Sequence, residues 1–339
     1  MQNLFEQFNR TTELIENECL EEALEILLNL KMYTEMAPFC YYRIAQISNM
    51  IGEPDEAYDL FYKALELMPD IASKVLPDDH PSLNYIFRGK KVELEIMNCT
   101  LCGGESENHW CYPLFEASGY NEHFNPIRMW RYCEKCHHIF ARNFPEKPFI
   151  YADIQKKPNP RYFSYYSNIL SNIRKAGFTA GMSLFEVGIG AGECLLAARE
   201  IGYETYGIDV INRQVEEVKS RYGLDVETAD FNEYIADREW DIIMMGDVIE
   251  HVNDPEAALA KAVDMMADDG ALWISTPSFE SAYSLVLGHT DAMRRETYHI
   301  NYFSRQSLYE LLERNYLFPV DYQISDHYAG SMEVVAKKI

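Results

Sequence analysis

The chain has 339 residues, more than one ordinary domain, and its 47% hydrophobic and 25% charged content is that of globular material. Thirty Lys and Arg against 54 Asp and Glu leave a net charge of −24 at pH 7, which removes a whole-chain electrostatic footprint for nucleic acid or an anionic membrane. No apolar run of about 18 residues is present to cross a bilayer, and the acidic start lacks the layout of a secretion signal, so a cytoplasmic location is expected. The charge is also uneven. Residues 1–98 carry 8 basic and 18 acidic side chains, residues 99–180 carry 10 and 7, and residues 181–339 carry 12 and 29. A slightly basic middle between two acidic ends divides the chain into units.

Residues 1–75 read as helices. Leu14, Ile15, Leu20, Ala23, Leu24, Leu27 and Leu28 recur with helical period, and Ile44, Ala45, Ile47, Ala57, Leu60, Phe61 and Ala64 do so again. Gly52 and Pro54 break the second stretch into a helix pair. Ala23 and Ala57 each follow two acidic residues and stand 34 residues apart. With Gly52, Phe61, Ala64 and Pro69, the second copy resembles a tetratricopeptide repeat, whose period is about 34. Two helix pairs suit a packed helical cap, a self-association arm or a protein-docking module. Residues 76–98, with Pro77, Pro81 and Arg88-Gly89-Lys90-Lys91, read as a linker.

Residues 99–150 hold two cysteine knuckles, Cys99-x2-Cys102 and Cys133-x2-Cys136, separated by 30 residues. Each knuckle brings two thiolates within reach of one ion, and together they make the closed shell of a structural zinc ribbon. Two disulfides fit an intracellular chain poorly, and a redox pair would come once. Cys111, His109, His137 and His138 are weaker candidates as ligands. Cys19, Cys40 and Cys194 are expected to be packed on helix faces. The ribbon's aromatics, among them Trp110, Tyr112, Phe124 and Trp130, suit interdomain packing better than base stacking.

Residues 151–339 carry the chemistry. An apolar strand runs through Phe185-Glu186-Val187 into Gly188-Ile-Gly190-Ala-Gly192 and opens a helix, the setting of a nucleotide-type loop. Nineteen residues after Gly190 a second strand ends in Asp209, where a carboxylate can accept both ribose hydroxyls. Further strands end at Asp230-Phe231, at Asp247 and at Pro277, with a helix over Pro255–Ala267. Alternating strands and helices predict an α/β, doubly wound, Rossmann-like parallel sheet with ligands at its carboxyl edge.

Glu186-Val-Gly-Ile-Gly-Ala-Gly192, Gly207-Ile-Asp209, Ala229-Asp-Phe231 and Asp247-Val-Ile-Glu-His251-Val-Asn-Asp-Pro255 together resemble the class I S-adenosylmethionine-dependent methyltransferases, and in particular those acting on small molecules. The resemblance covers about residues 160–339. It implies that Glu186, Gly188, Gly190 and Gly192 surround the methionine end of S-adenosylmethionine. It further implies that Asp209 and Val210 hold the ribose, that Asp230 and Phe231 meet the adenine, and that Asp247 and Val248 floor the site near the sulfonium. A ribbon before such a unit also resembles zinc-containing sugar methyltransferases, although in those the ribbon opens the chain.

Transfer to an O, N or C nucleophile of a small molecule, such as a sugar or natural-product intermediate, is the expected reaction. Candidate catalytic groups are His251, His299 and Tyr298, with proximity alone sufficient for a nucleophile already ionised. Arg294 and Arg295 are candidates for a substrate anion, and Tyr162, Tyr165 and Tyr166 for closing over the cofactor. A non-catalytic scaffold that keeps the fold, an RNA-directed enzyme with a zinc ribbon, and an enzyme using a modified cofactor are the alternatives. The acidic catalytic unit argues against RNA.

Overall fold

A computed structural model describes residues 2–117, 119–145 and 156–339. The expected boundary at 150/151 lies outside the described residues. The elements run in chain order as α1 (Gln2–Glu16), α2 (Leu20–Leu30), α3 (Ala37–Met50), α4 (Pro54–Leu67), α5 (Ala72–Val75), β1 (Leu94–Glu95), β2 (Glu107–Pro113), β3 (Ile127–Cys133), β4 (His138–Ala141) and β5 (Asn143–Phe144). They continue as α6 (Arg161–Lys175), β6 (Ser183–Val187), α7 (Glu193–Ile201), β7 (Glu204–Asp209), α8 (Asn212–Tyr222), β8 (Val226–Thr228), β9 (Trp240–Gly246), α9 (Pro255–Asp264) and β10 (Met266–Pro277). The last are α10 (Ala282–Leu287), β11 (Asn301–Phe303), α11 (Arg305–Arg314), β12 (Leu317–Ile324) and β13 (Ser331–Lys338). Among the described residues no helix is long and apolar enough to cross a membrane.

The small residues and Pro54 shape the arm. Ala23 in α2 and Ala57 in α4 are both fully buried, each in the second helix of a pair, so the pairs close at equivalent points. Pro54 opens α4 where no helical amide partner is needed. Cys40 and Cys194 are buried as their helical positions suggest, whereas Cys19 precedes α2 and is exposed, because its place is a helix entry and not a helix face. Most of residues 76–98 are exposed, but Ser82, Tyr85 and Phe87 are buried. Tyr85 and Phe87 sit in one core with Tyr42 and Phe61 of the arm and Phe115, Ile127 and Met129 of the ribbon.

The ribbon strands form a four-stranded sheet ordered β11-β4-β3-β2. Its β11 edge comes from the C-terminal unit, with Asn301 opposite Phe140 and Phe303 opposite His138. One aromatic core joins Trp110, Tyr112, Phe124 and Trp130 to Ile300 and Tyr302, which accounts for the ribbon's aromatics as interdomain packing.

The main sheet has seven strands in the order β12-β13-β10-β9-β6-β7-β8. Its inner strands are apolar on both faces, as parallel strands covered by helices must be. Leu184, Ile242 and Met244 face α6, α7 and α8, while Phe185, Ile243 and Met245 face α9 and α11. The expected parallel sheet carries an antiparallel extension. β6 to β10 are parallel, but β13 runs antiparallel to β10, and β12 antiparallel to β13. Pro319 inside β12 is tolerated because this strand is a sheet edge and shifts register there.

Candidate active site

The carboxyl ends of β6, β7 and β9 converge on one cleft. After β6, Gly188, Gly190 and Gly192 have φ of +76°, +52° and +86°, a left-handed path that side chains rarely follow. A Cβ at Gly192 would also stand 3.0 Å from Val218. The loop therefore requires glycine for its path before any ligand is considered, and it leaves bare backbone facing the cleft.

Asp209 at the end of β7 is braced from both sides. Its Oδ2 accepts from the Gly190 amide at 3.3 Å and its Oδ1 from the Ile211 amide at 2.9 Å. Burial lifts its carboxyl above the usual range, with those amides and Lys156 pulling the other way. Ala229 N donates to the Asp209 carbonyl at 3.1 Å, which brings Asp230 and the buried Phe231 beside it. Asp230 Oδ1 accepts from Asn232 N at 2.9 Å and so forms a local turn. Val210 is partly exposed.

On the cleft floor, Glu186 is buried with no hydrogen-bond partner at Oε2, and burial pushes its carboxyl well up. Asp247 has φ +54°, a strained setting for a non-glycine residue. Burial lifts it to about 6, opposed by Lys156 and by a hydrogen bond from the Tyr328 hydroxyl. Val248 lies 3.4 Å from the Cβ position of Gly188 and closes the floor beneath the loop. Lys156 leans over Gly190, its Cδ 3.5 Å from that residue's Cβ position, with its backbone amide on Gln214 at 3.0 Å. The cleft thus gathers carboxylates around one lysine.

Beyond Asp247 the chain makes a tight turn over Ile249–His251. His251 and His299 stand with ring centroids 4.8 Å apart. Each Nδ1 donates to a backbone carbonyl at 3.0 Å, His251 to Tyr298 and His299 to Met293, so the lone pair rests on Nε2. Burial holds His251 down at about 4 and His299 well below the ordinary imidazole range, so both are neutral at pH 7. His299 is 8% exposed. Tyr298 is less enclosed, and its hydroxyl accepts from Asn121 at 3.2 Å.

Arg295 lies elsewhere. It pairs with Glu116 at 3.8 Å and covers the Tyr112 ring, which fixes it to the ribbon and not to the cleft. Arg294 lies over the Tyr302 ring. Tyr165 packs against Tyr166 and His327 at the cleft wall. Lys156, Glu250 and Tyr328 are the site groups missed by the sequence reading. Glu250 lay inside a recognised motif, whereas Lys156 and Tyr328 stand outside any.

The four knuckle sulfurs lie within 4.8 Å of one another, with Cys99 and Cys136 at 3.4 Å and Cys102 and Cys133 at 3.6 Å. A tetrahedral shell with metal–sulfur bonds of about 2.3 Å spaces its sulfurs by about 3.8 Å, so the set fits a metal and is too wide for disulfides of about 2 Å. The weaker candidates stay outside it. Cys111 donates to Asn49, and His138 meets Asn301.

Residues 161–317 match the family model described as a methyltransferase domain. The chain is 26% identical over 110 residues to a ubiquinone biosynthesis O-methyltransferase of Rhodopseudomonas palustris (strain BisB5), covering 31% of this chain and 44% of that protein, so it spans less than half of that relative's length. It is similar to the magnesium protoporphyrin IX methyltransferase of Synechocystis PCC 6803 with bound S-adenosylhomocysteine, at 16% identity over 56% of this chain and 91% of that one, with a TM-score of 0.45. An N-methyltransferase of Bradyrhizobium japonicum WM9 in complex with S-adenosyl-L-homocysteine is similar at 14% identity over 54% and 89%, with a TM-score of 0.43. The stretch that supplies the five parallel strands is the one that the methyltransferase-domain model matches.

Proposed function

We propose that the chain is an S-adenosylmethionine-dependent methyltransferase that alkylates a nucleophilic atom of a small molecule. The observation that carries this is the convergence of Glu186, Asp209 and Asp247 on a left-handed glycine loop within the matched domain. A sulfonium is a cation with no phosphate to cradle, and a cleft of carboxylates suits it. In this reading Glu186 and the loop take the methionine end, Asp209 and Val210 the ribose, Asp230 and Phe231 the adenine, and Asp247 and Val248 the floor.

Bound there, S-adenosylmethionine would supply an electrophilic methyl group to the acceptor's lone pair and would leave as a neutral thioether. Orientation supplies much of the rate. The acceptor enters from the side of Tyr298 and His299, where the neutral imidazoles of His251 and His299 stand as proton acceptors. The ubiquinone-pathway relative acts on oxygen, which favours an oxygen acceptor here. The four knuckle cysteines hold a structural zinc, and the helix pairs form a tetratricopeptide-like arm available to a protein partner.

Calorimetry with S-adenosylhomocysteine tests the cofactor assignment. Losing two hydrogen bonds to a charged carboxylate, each about 1.5 kcal/mol, amounts to about 3 kcal/mol and about 100-fold in affinity for Asp209→Ala. Binding within threefold of wild type in that variant overturns the ribose assignment.

A further inference from the structure

Between α6 and the antiparallel pair β12 and β13 lies a cavity of about 250 Å³ that the cofactor assignment leaves unused. Tyr165, Ile169 and Asn172 line it from α6, and Ile324, Asp326 and Glu333 from the sheet edge. Tyr165 stands between this cavity and the cofactor cleft. Its ring packs on His327, which packs on Tyr328, the residue hydrogen-bonded to Asp247.

Glu333 breaks the pattern of its strand. Side chains alternate along β13, so Met332 and Val334 enter one core and Val335 the other, which also holds Ile169 and Ile173 of α6. Glu333 shares the face of Val335, a position that packing against α6 would give to an apolar residue. It is 7% exposed, and the little surface it keeps lines the cavity. Burial pushes its carboxyl up, opposed by hydrogen bonds from Ser325 and Tyr165. Its buried Oε1 nevertheless has no hydrogen-bond partner, whereas enclosed carboxylates are ordinarily matched. The neighbours able to answer it are engaged elsewhere. Gln323, opposite Glu333 in the strand register, directs its amide to Asp321 at 3.1 Å. Lys175, on the cavity lining, donates to Asn172 at 3.1 Å. Asp326 adds a second carboxylate at the exposed mouth.

We infer that this cavity binds a short aliphatic ammonium compound, with its charged head on Glu333 and its stem along Ile169 and Ile324. The ammonium supplies the donor that Glu333 lacks, in a charge-assisted hydrogen bond. The Tyr165 ring adds a face that attracts cations, and Asp326 draws a second amine at the mouth. Two carboxylates against one engaged lysine favour a cation over a neutral hydroxyl compound. The amine site stands apart from the methyltransferase reading, and either can fail alone.

The probe is 1,4-diaminobutane, titrated into the full chain by calorimetry at about 0.15 M salt, where attraction between exposed charges is screened. Saturable binding of about one molecule per chain is expected. Glu333→Gln keeps the shape, removes the charge and is expected to weaken binding roughly tenfold or more. Ser171→Lys places an ammonium of the chain's own at the exposed rim and is expected to weaken binding as much without disturbing a buried residue. In the wild type, nuclear Overhauser contacts are expected from the diamine's methylenes to the methyl groups of Ile169 and Ile324, a readout that does not depend on either variant folding. Uncharged 1,4-butanediol is expected not to bind. Absence of saturable binding, weak binding that neither variant changes, equal binding of the diol, or no contacts to the two isoleucines overturns the site.

Discussion

Asp247 provides a test of the cleft as a site built for a cation. Its carboxyl is raised by burial from 3.8 to about 6, so in the empty cleft it holds a proton that the unfolded chain has already lost. Between about pH 4 and pH 6 the folded state therefore binds more protons, and stability falls as pH rises through that window and stays low above it. Two pKa units correspond to about 3 kcal/mol. Asp247 keeps part of its surface in the open cleft, and water screening makes that figure a ceiling, with about 1–2 kcal/mol expected. Asn tolerates the left-handed backbone at this position, so Asp247→Asn removes the charge with little added strain. In urea denaturation at pH 8 the variant is expected to be the more stable by that amount, and the gain is expected to shrink as pH falls below about 6. Its affinity for S-adenosylmethionine, a cation, is expected to drop more than its affinity for neutral S-adenosylhomocysteine. A variant less stable than wild type at pH 8, or equal loss for both ligands, refutes the reasoning.

Two further outcomes concern the frame around the cleft. Metal analysis of wild type and Cys102→Ser is expected to differ by about one zinc per chain, with the variant the less stable to urea; equal zinc content removes the ribbon assignment. Phe61→Ala empties a fully buried ring site between arm and ribbon and is expected to cost about 3–5 kcal/mol in a single unfolding transition. An early separate melting of the arm contradicts its integration with the ribbon.

The parts of the fold legible in the sequence are those written locally. The strand, glycine loop and helix of residues 183–201 are continuous in the chain, and the positive φ of Gly188, Gly190 and Gly192 is a property of glycine itself. The cysteine knuckles read just as directly, since two residues of spacing already dictate shared geometry. The antiparallel pair β12 and β13 did not read. Phe318, Val320 and Ile324 are exposed on an edge strand that also contains Pro319, so neither alternation nor composition marks it. Glu250 passed unnoticed for another reason. Its significance lies in what burial does to a carboxylate oxygen, and only the packing of Thr276, Ile300 and His299 around it makes that visible. Residues 76–98 looked like a linker from their prolines and charges, yet Tyr85 and Phe87 are anchored by aromatic partners far along the chain.

The edge strand β11 sets an order on biosynthesis. Asn301 completes the ribbon sheet opposite Phe140, about 160 residues after the partner strand leaves the ribosome. Until then β4 presents an unpaired edge, the kind of surface that invites mispairing between nascent chains. Early capture of metal by the knuckles would hold the three local strands together through that interval. The last act of ribbon folding then coincides with seating His299 two residues before the strand, so this side of the cleft takes shape only once the segment bearing β11 has been made.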